Sequence, residues 1–222
     1  GELPQPTEDS IVAWAEKYYE KYEPLLKGDN KETIENMKSA FFMNQGPKVF
    51  KDETIAEMVS TFTVSLSAKK SFDMLITASA LLLKTDPKNP RTINLFGAVL
   101  NSADLSKEAL IVFEYGVSIK PGNPLLRLNL ANAYLDANQD ELAKNILDKL
   151  CFEYPDDRAA WKAMAAYYYK KNDMNQFRQC LLKAAQFKGY AKKKIDKKRK
   201  KVDANTAEES ESPEQLEPKL KE

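Results

Sequence analysis

Proline returns in phase every 34 residues, at Pro87, Pro121 and Pro155 and again at Pro90 and Pro124. A fixed spacing of about 20 to 50 residues marks a chain built by stacking one supersecondary unit, so it restricts the fold more than any local motif. Few glycines and abundant Ala, Leu, Lys and Glu favour helices as that unit.

Aligned on the period, the first helices are expected at residues 90–102, 124–137 and 158–171. Their apolar stripes are Ile93, Phe96 and Leu100; Leu130 and Tyr134; and Trp161, Met164 and Tyr168. Spacings of three and four place each set on one helix face. A small residue flanks each stripe, at Gly97, Ala131 or Ala165, where two backbones can approach closely. Asp104, Asn138 and Asn172 follow, again 34 apart. These residue types tolerate the left-handed conformation that ends a helix. Second helices are expected at 107–118, 141–153 and 174–188. Ala109 and Phe113, Ala143 and Leu147, and Phe177 and Leu181 occupy equivalent places on them. Pro121 and Pro155 stop the second helix, and Gly189 holds the corresponding place in the last unit.

These features together resemble the tetratricopeptide repeat family. The resemblance rests on the 34-residue period, the small facing residues, Tyr134, Tyr168, Trp161, Ala109, Ala143 and the closing prolines. It covers residues 90–189 as units 90–123, 124–157 and 158–189. Residues 56–89 fit as a degenerate unit, with Pro87 in phase but Thr63 and Leu75 where small residues are usual. The expected fold is all-α, an α-solenoid in which antiparallel helix pairs over 53–189 form a right-handed superhelix. After a linker at 1–8, residues 9–52 are expected to form an N-terminal helical cap, because a terminal repeat cannot bury its own outer face. Its two amphipathic helices, at 10–27 and 31–44, lack the repeat's signature. Asp29 or Asn30 caps the second, and Gly46-Pro47 ends it. Residues 190–202 are expected as a basic capping helix, and the Glu-, Ser- and Pro-rich residues 203–222 as a disordered acidic tail.

Charge and composition narrow the chemistry. The chain has 34 basic and 33 acidic residues and no histidine. Imidazole bases, Ser-His and Cys-His pairs and most zinc or haem sites are therefore excluded. There is no glycine-rich phosphate loop and no carboxylate pair in an apolar setting, so the expectation is a non-enzyme without a cofactor. Cys151 and Cys180 are read as buried structural thiols rather than a disulfide. No apolar run approaches the roughly 20 residues of a membrane-spanning helix. The chain starts without Met, so the protein is read as soluble, either cytoplasmic or exported after removal of a leader.

The resemblance implies a protein-interaction adaptor that takes a peptide or helix of a partner in a concave groove lined by the first helices. Carried over, the groove residues are Arg91, Asn94, Ala98 and Asn101; Leu125, Leu128, Asn129, Asn132, Leu135 and Asp136; and Ala159, Lys162, Ala163, Ala166, Tyr169 and Lys170. Some family members clamp the C-terminal carboxylate of heat-shock chaperones with basic residues and asparagines. Here Ala159 and Ala163 stand where the last unit needs basic residues, which argues against that ligand. Leu125, Leu128 and Leu135 fall on the face that an empty groove exposes, and contiguous exposed apolar area is uncommon unless something covers it. The cover would be a partner helix, a second copy or the chain's own termini; alternatively, a small rotation of the helix makes these leucines core. A second reading starts from residues 188–201, which carry nine basic residues and one acidic. That run suits nucleic acid or an anionic surface, although the acidic tail beside it can neutralise it in cis.

Overall fold

A computed structural model describes residues 6–43 and 71–186. Those residues are helical, with no strand among them. The order is α1 (Glu8–Tyr22), a 3₁₀ turn (Glu23–Leu25), α2 (Asp29–Met43), α3 (Phe72–Thr85), α4 (Pro90–Ser102), α5 (Ser106–Ile119), α6 (Pro124–Asp136), α7 (Asp140–Glu153), α8 (Arg158–Lys170) and α9 (Met174–Gln186). The expected first helix of the degenerate unit, the Gly46-Pro47 stop, the capping helix, the basic run and the acidic tail all lie outside the described residues.

The 34-residue period appears in the backbone as two repeated devices. Asn89, Asn123 and Asp157, 34 apart, cap α4, α6 and α8. Each side-chain oxygen accepts from a backbone N–H of the first turn: Asn89 from Arg91 (2.9 Å), Asn123 from Leu126 (3.0 Å), Asp157 from Ala159 (2.7 Å). Pro90 and Pro124 then occupy first-turn positions, where a missing N–H costs nothing. At the other end of these helices, Asp104, Asn138 and Asn172 adopt φ of 61°, 59° and 61°, the left-handed turn expected of them. The following N–H reaches back five residues, Leu105 to the Leu100 carbonyl (2.9 Å), Gln139 to Tyr134 (2.8 Å) and Asp173 to Tyr168 (2.9 Å). This pairing satisfies carbonyls that the helix end would otherwise orphan.

Each first helix packs along its own second helix, and each second helix packs on the next first helix, giving the run α3–α4–α5–α6–α7–α8–α9. Successive first helices also touch, α4 with α6 and α6 with α8. The small residues lie where the period puts them. Gly97, Ala131 and Ala165 are buried, and a Cβ built on Gly97 would stand 2.5 Å from the Phe113 ring of α5. Ala109, Phe113, Ala143 and Leu147 are buried as well, whereas Leu181 of the last described helix is exposed.

The N-terminal helix departs from its expected bounds for an identifiable reason. It starts at Glu8 behind a Thr7–Ser10 capping box and stops at Tyr22, because Pro24 cannot donate to the helical ladder. α1 packs along α3 and reaches α5. Tyr18 meets Phe96 edge-to-face with centroids 6.0 Å apart, Glu16 pairs with Lys84, and Glu8 pairs with Lys88 at 2.7 Å. Ile11, Trp14, Ala15 and Tyr18 share the offsets of Trp161, Met164, Ala165 and Tyr168, and Ala15 is fully buried.

Candidate functional site

The first helices place the groove residues at three depths. Arg91, Leu125, Asn132, Asp136, Ala159, Lys162, Ala166, Tyr169 and Lys170 are exposed, with Leu125 at 51% and Tyr169 at 59%. Asn94, Ala98, Asn101 and Asn129 are half-buried. Leu128, Leu135 and Ala163 are buried, both leucines at 8%. The expectation that Leu128 and Leu135 face an open groove is thus corrected. They share one apolar cluster with Ala131 of their own helix and Ala163 and Tyr167 of α8. A first helix in mid-stack is covered on the side facing the next first helix, so apolar residues there are core.

What lies above those leucines is polar. Between α6 and α8 is a depression of about 570 Å³ lined by Asn132, Leu135, Asp136, Asn138, Ala166 and Lys170. Its floor is Leu135, and its walls offer an amide, a carboxylate and the small Ala166. Lys170 is fixed rather than free: its ammonium donates to the Leu135 carbonyl (2.5 Å) and pairs with Asp140 (2.8 Å). Lys171 holds the other Asp140 oxygen at 2.9 Å. Hydrogen bonds from Lys170 and Lys171 keep the Asp140 carboxyl below the ordinary aspartate range. Next to the depression, the Tyr169 ring leans on Phe177 of α9 with centroids 5.4 Å apart.

The asparagines divide in two. Asn129 donates to the Asn94 side-chain oxygen across the α4–α6 contact, which ties the two half-buried amides together. Asn132, one turn further along, is exposed and presents its amide to the depression. On α4, Asn101 keeps its side-chain oxygen buried without a hydrogen-bond partner among the described residues. The structure therefore brings Asn132, Ala166, Tyr169 and Lys170 to one region. Arg91, Asn94 and Leu125 sit further along the face, towards the helix starts. Asp136 and Asn138 also line the site. Asn138 went unread there because its left-handed turn already accounted for it.

Two polar pairs tie α6 to its neighbours α7 and α5. Arg127, 9% exposed, makes a paired contact with Glu153, with Nη1 to Oε2 at 2.5 Å and Nη2 to Oε1 at 3.1 Å. The Arg127 hydrogen bond draws the Glu153 carboxyl below its usual range. Tyr134 donates to Glu114 at 2.9 Å, and burial, then that bond, raises its hydroxyl pKa. Cys151 and Cys180 are free and buried, as expected of structural thiols, and burial pushes Cys151 up to about 12. They line a second cavity, on the side of α7 and α9.

Stacked antiparallel helix pairs with capped starts and left-handed ends define a helical-repeat fold. Residues 106–167 match the tetratricopeptide repeat family. Among curated proteins it is similar to the Beta-barrel assembly-enhancing protease of Escherichia coli (strain K12), 32% identical over 110 residues, half of this chain and 21% of that one. The Yersinia pestis protein of the same name is 28% identical over 102 residues, 46% of this chain and 21% of that one. The chain thus spans about a fifth of the length of these relatives. No described helix is long and apolar enough to cross a membrane.

Proposed function

We propose that the chain is a non-catalytic adaptor that binds a segment of a partner protein in the groove between its first helices. The observation that carries this reading is the depression in which exposed Asn132 and Ala166 stand above a buried floor of Leu135, with exposed Tyr169 on the same helix as Ala166. An exposed aromatic beside a small residue offers contact area with room for a chain to approach. An amide supplies both donors and an acceptor to fix a bound backbone. Leu128 and Leu135 contribute rigidity to the wall rather than contact area. The relatives' name describes a protease, but this proposal takes from them only the presence of a repeat module.

The test uses peptides selected from a random library on the full chain. Their Kd is then measured on the wild type and on Asn132→Ala/Tyr169→Ala. Truncating central contact residues typically costs 2 kcal/mol or more, so binding is expected to weaken roughly 30-fold or more. Peptides that bind the double variant as tightly as the wild type overturn the groove assignment.

A further inference from the structure

A cavity of about 370 Å³ lies between α7, α8 and α9, and the repeat itself shows how it arises. Each lining residue has an equivalent 34 positions earlier, where α5, α6 and α7 meet. Cys180 stands where that junction has Ile146, Cys151 where it has Val117, and Asp148 where it has Glu114. All three exchanges make the side chain smaller. Ile146 and Val117 pack against the core, and Tyr134 donates to Glu114 at 2.9 Å. At the later junction no such bond joins Tyr168 to Asp148 among the described residues. Both Asp148 oxygens accept instead from the Lys144 ammonium, at 2.7 and 2.6 Å. Interiors pack close to crystal density, so smaller side chains at an equivalent crossing leave space.

The lining is graded from apolar to polar. Cys151, Met164 and Cys180 are buried, Trp161 and Tyr168 are half-buried, and Gln176, Gln179 and Lys183 are exposed. The Lys183 ammonium lies 4.1 Å from the centroid of the Trp161 ring and has no acidic partner among the described residues. Lys144 already neutralises Asp148, so the charge left unmatched in the cavity is positive. We propose that this cavity binds a small aromatic carboxylate, with its ring inward and its carboxylate at the mouth. Small-ligand sites are mostly apolar spaces of about 300–1,000 Å³ with a few polar groups in fixed places. Two aromatic walls and a thioether favour a ring over an aliphatic chain, because ring–ring and sulfur–ring contacts add to area burial. Lys183 meets the carboxylate as counter-ion, and the Gln176 and Gln179 amides supply donors to its oxygens. The cavity is separate from the first-helix groove, so this inference stands or falls independently of partner binding.

The experiment is a calorimetric titration of the full, reduced chain with 2-naphthoate, with 2-naphthamide as the uncharged arm and decanoate as the aliphatic one. 2-Naphthoate should bind at one site per chain with a Kd of about 1 mM or tighter, and more tightly than either comparator. Cys151→Val with Cys180→Ile restores the side chains of the earlier junction. That filled variant should lose binding while its Tm holds or rises, since filling a cavity stabilises. Lys183→Met, an exposed change that keeps the fold, should weaken 2-naphthoate about fivefold and leave the amide unchanged. No saturable binding, undiminished binding by the filled variant, equal affinity for acid and amide, or tighter binding of decanoate would each overturn the proposal. If the filled variant unfolds, Lys183→Met decides alone: no loss, or equal loss for acid and amide, overturns it.

Discussion

α6 and α8 occupy the same place in successive repeats and bury different residues. At equivalent positions 34 apart, α6 has Leu128 and Leu135, both buried, while α8 has Lys162 and Tyr169, both exposed. The helices differ in their neighbours. α6 touches α4, α5, α7 and α8; α8 is held by α6, α7 and α9. Leu126, Leu130 and Ala133 of α6 join the apolar cluster that runs towards α1, and Leu128, Ala131 and Leu135 join the one that runs towards α9. An interior helix of a stack is therefore a seam between two cores and is apolar on nearly all sides. The last described first helix serves one core and keeps a polar face free.

The largest test of that contrast replaces each pair. Leu128→Ser with Leu135→Ser should destabilise the protein by roughly 4 kcal/mol or more, since each removes a buried leucine and inserts a hydroxyl. Lys162→Ser with Tyr169→Ser, at the matching positions of α8, should cost under about 1 kcal/mol. Urea unfolding of the two double variants measures both, and equal losses would erase the distinction between seam and end.

A smaller effect sharpens the comparison at the helix-crossing points. α4 has glycine where α6 and α8 have alanine, and the Phe113 ring fills the space an added methyl would take. Gly97→Ala gains helix propensity of about 1 kcal/mol but overpacks the crossing by about 1–3 kcal/mol, for a net loss near 1 kcal/mol. Adding Phe113→Leu should relieve the clash, so the pair should lose less than the sum of the single changes. Additive losses in thermal unfolding would show that the ring does not set the limit.

The smallest effect is electrostatic. The folded chain holds the Glu153 carboxyl below its unfolded value through Arg127, so the pair's contribution is complete above the unfolded glutamate range, near pH 4.3, and is lost as pH falls through the depressed value. Arg127→Met should flatten the acid limb of the stability curve and leave its slope near neutrality unchanged. An unaltered acid limb would mean that the exposed end of Glu153 is already solvated in the native state.

Much of the fold was legible because the repeat writes itself in local chemistry. The left-handed ends at Asp104, Asn138 and Asn172 and the start of α4 at Pro90 follow from residue type and phase. The caps at Asn89, Asn123 and Asp157 carry the same period, whereas α1 ends at Tyr22, short of the expected 27, because Pro24 interrupts the ladder. The site was legible only in outline. Asn132, Lys162 and Tyr169 were placed on an exposed face, but nothing local separates them from Leu128, Leu135 or the mutually bonded Asn94 and Asn129.

The sequence by itself determined the period, the helix pairs, the caps and turns, and the small residues at helix crossings, because each depends on contacts within a few residues or on backbone sterics. Only the tertiary structure decided which side of α6 is core, which asparagine amides are tied together, and that Cys151, Met164 and Cys180 line one cavity. Those outcomes depend on how far neighbouring helices overlap. A residue's own helix phase is the same whether a neighbour covers it or solvent does.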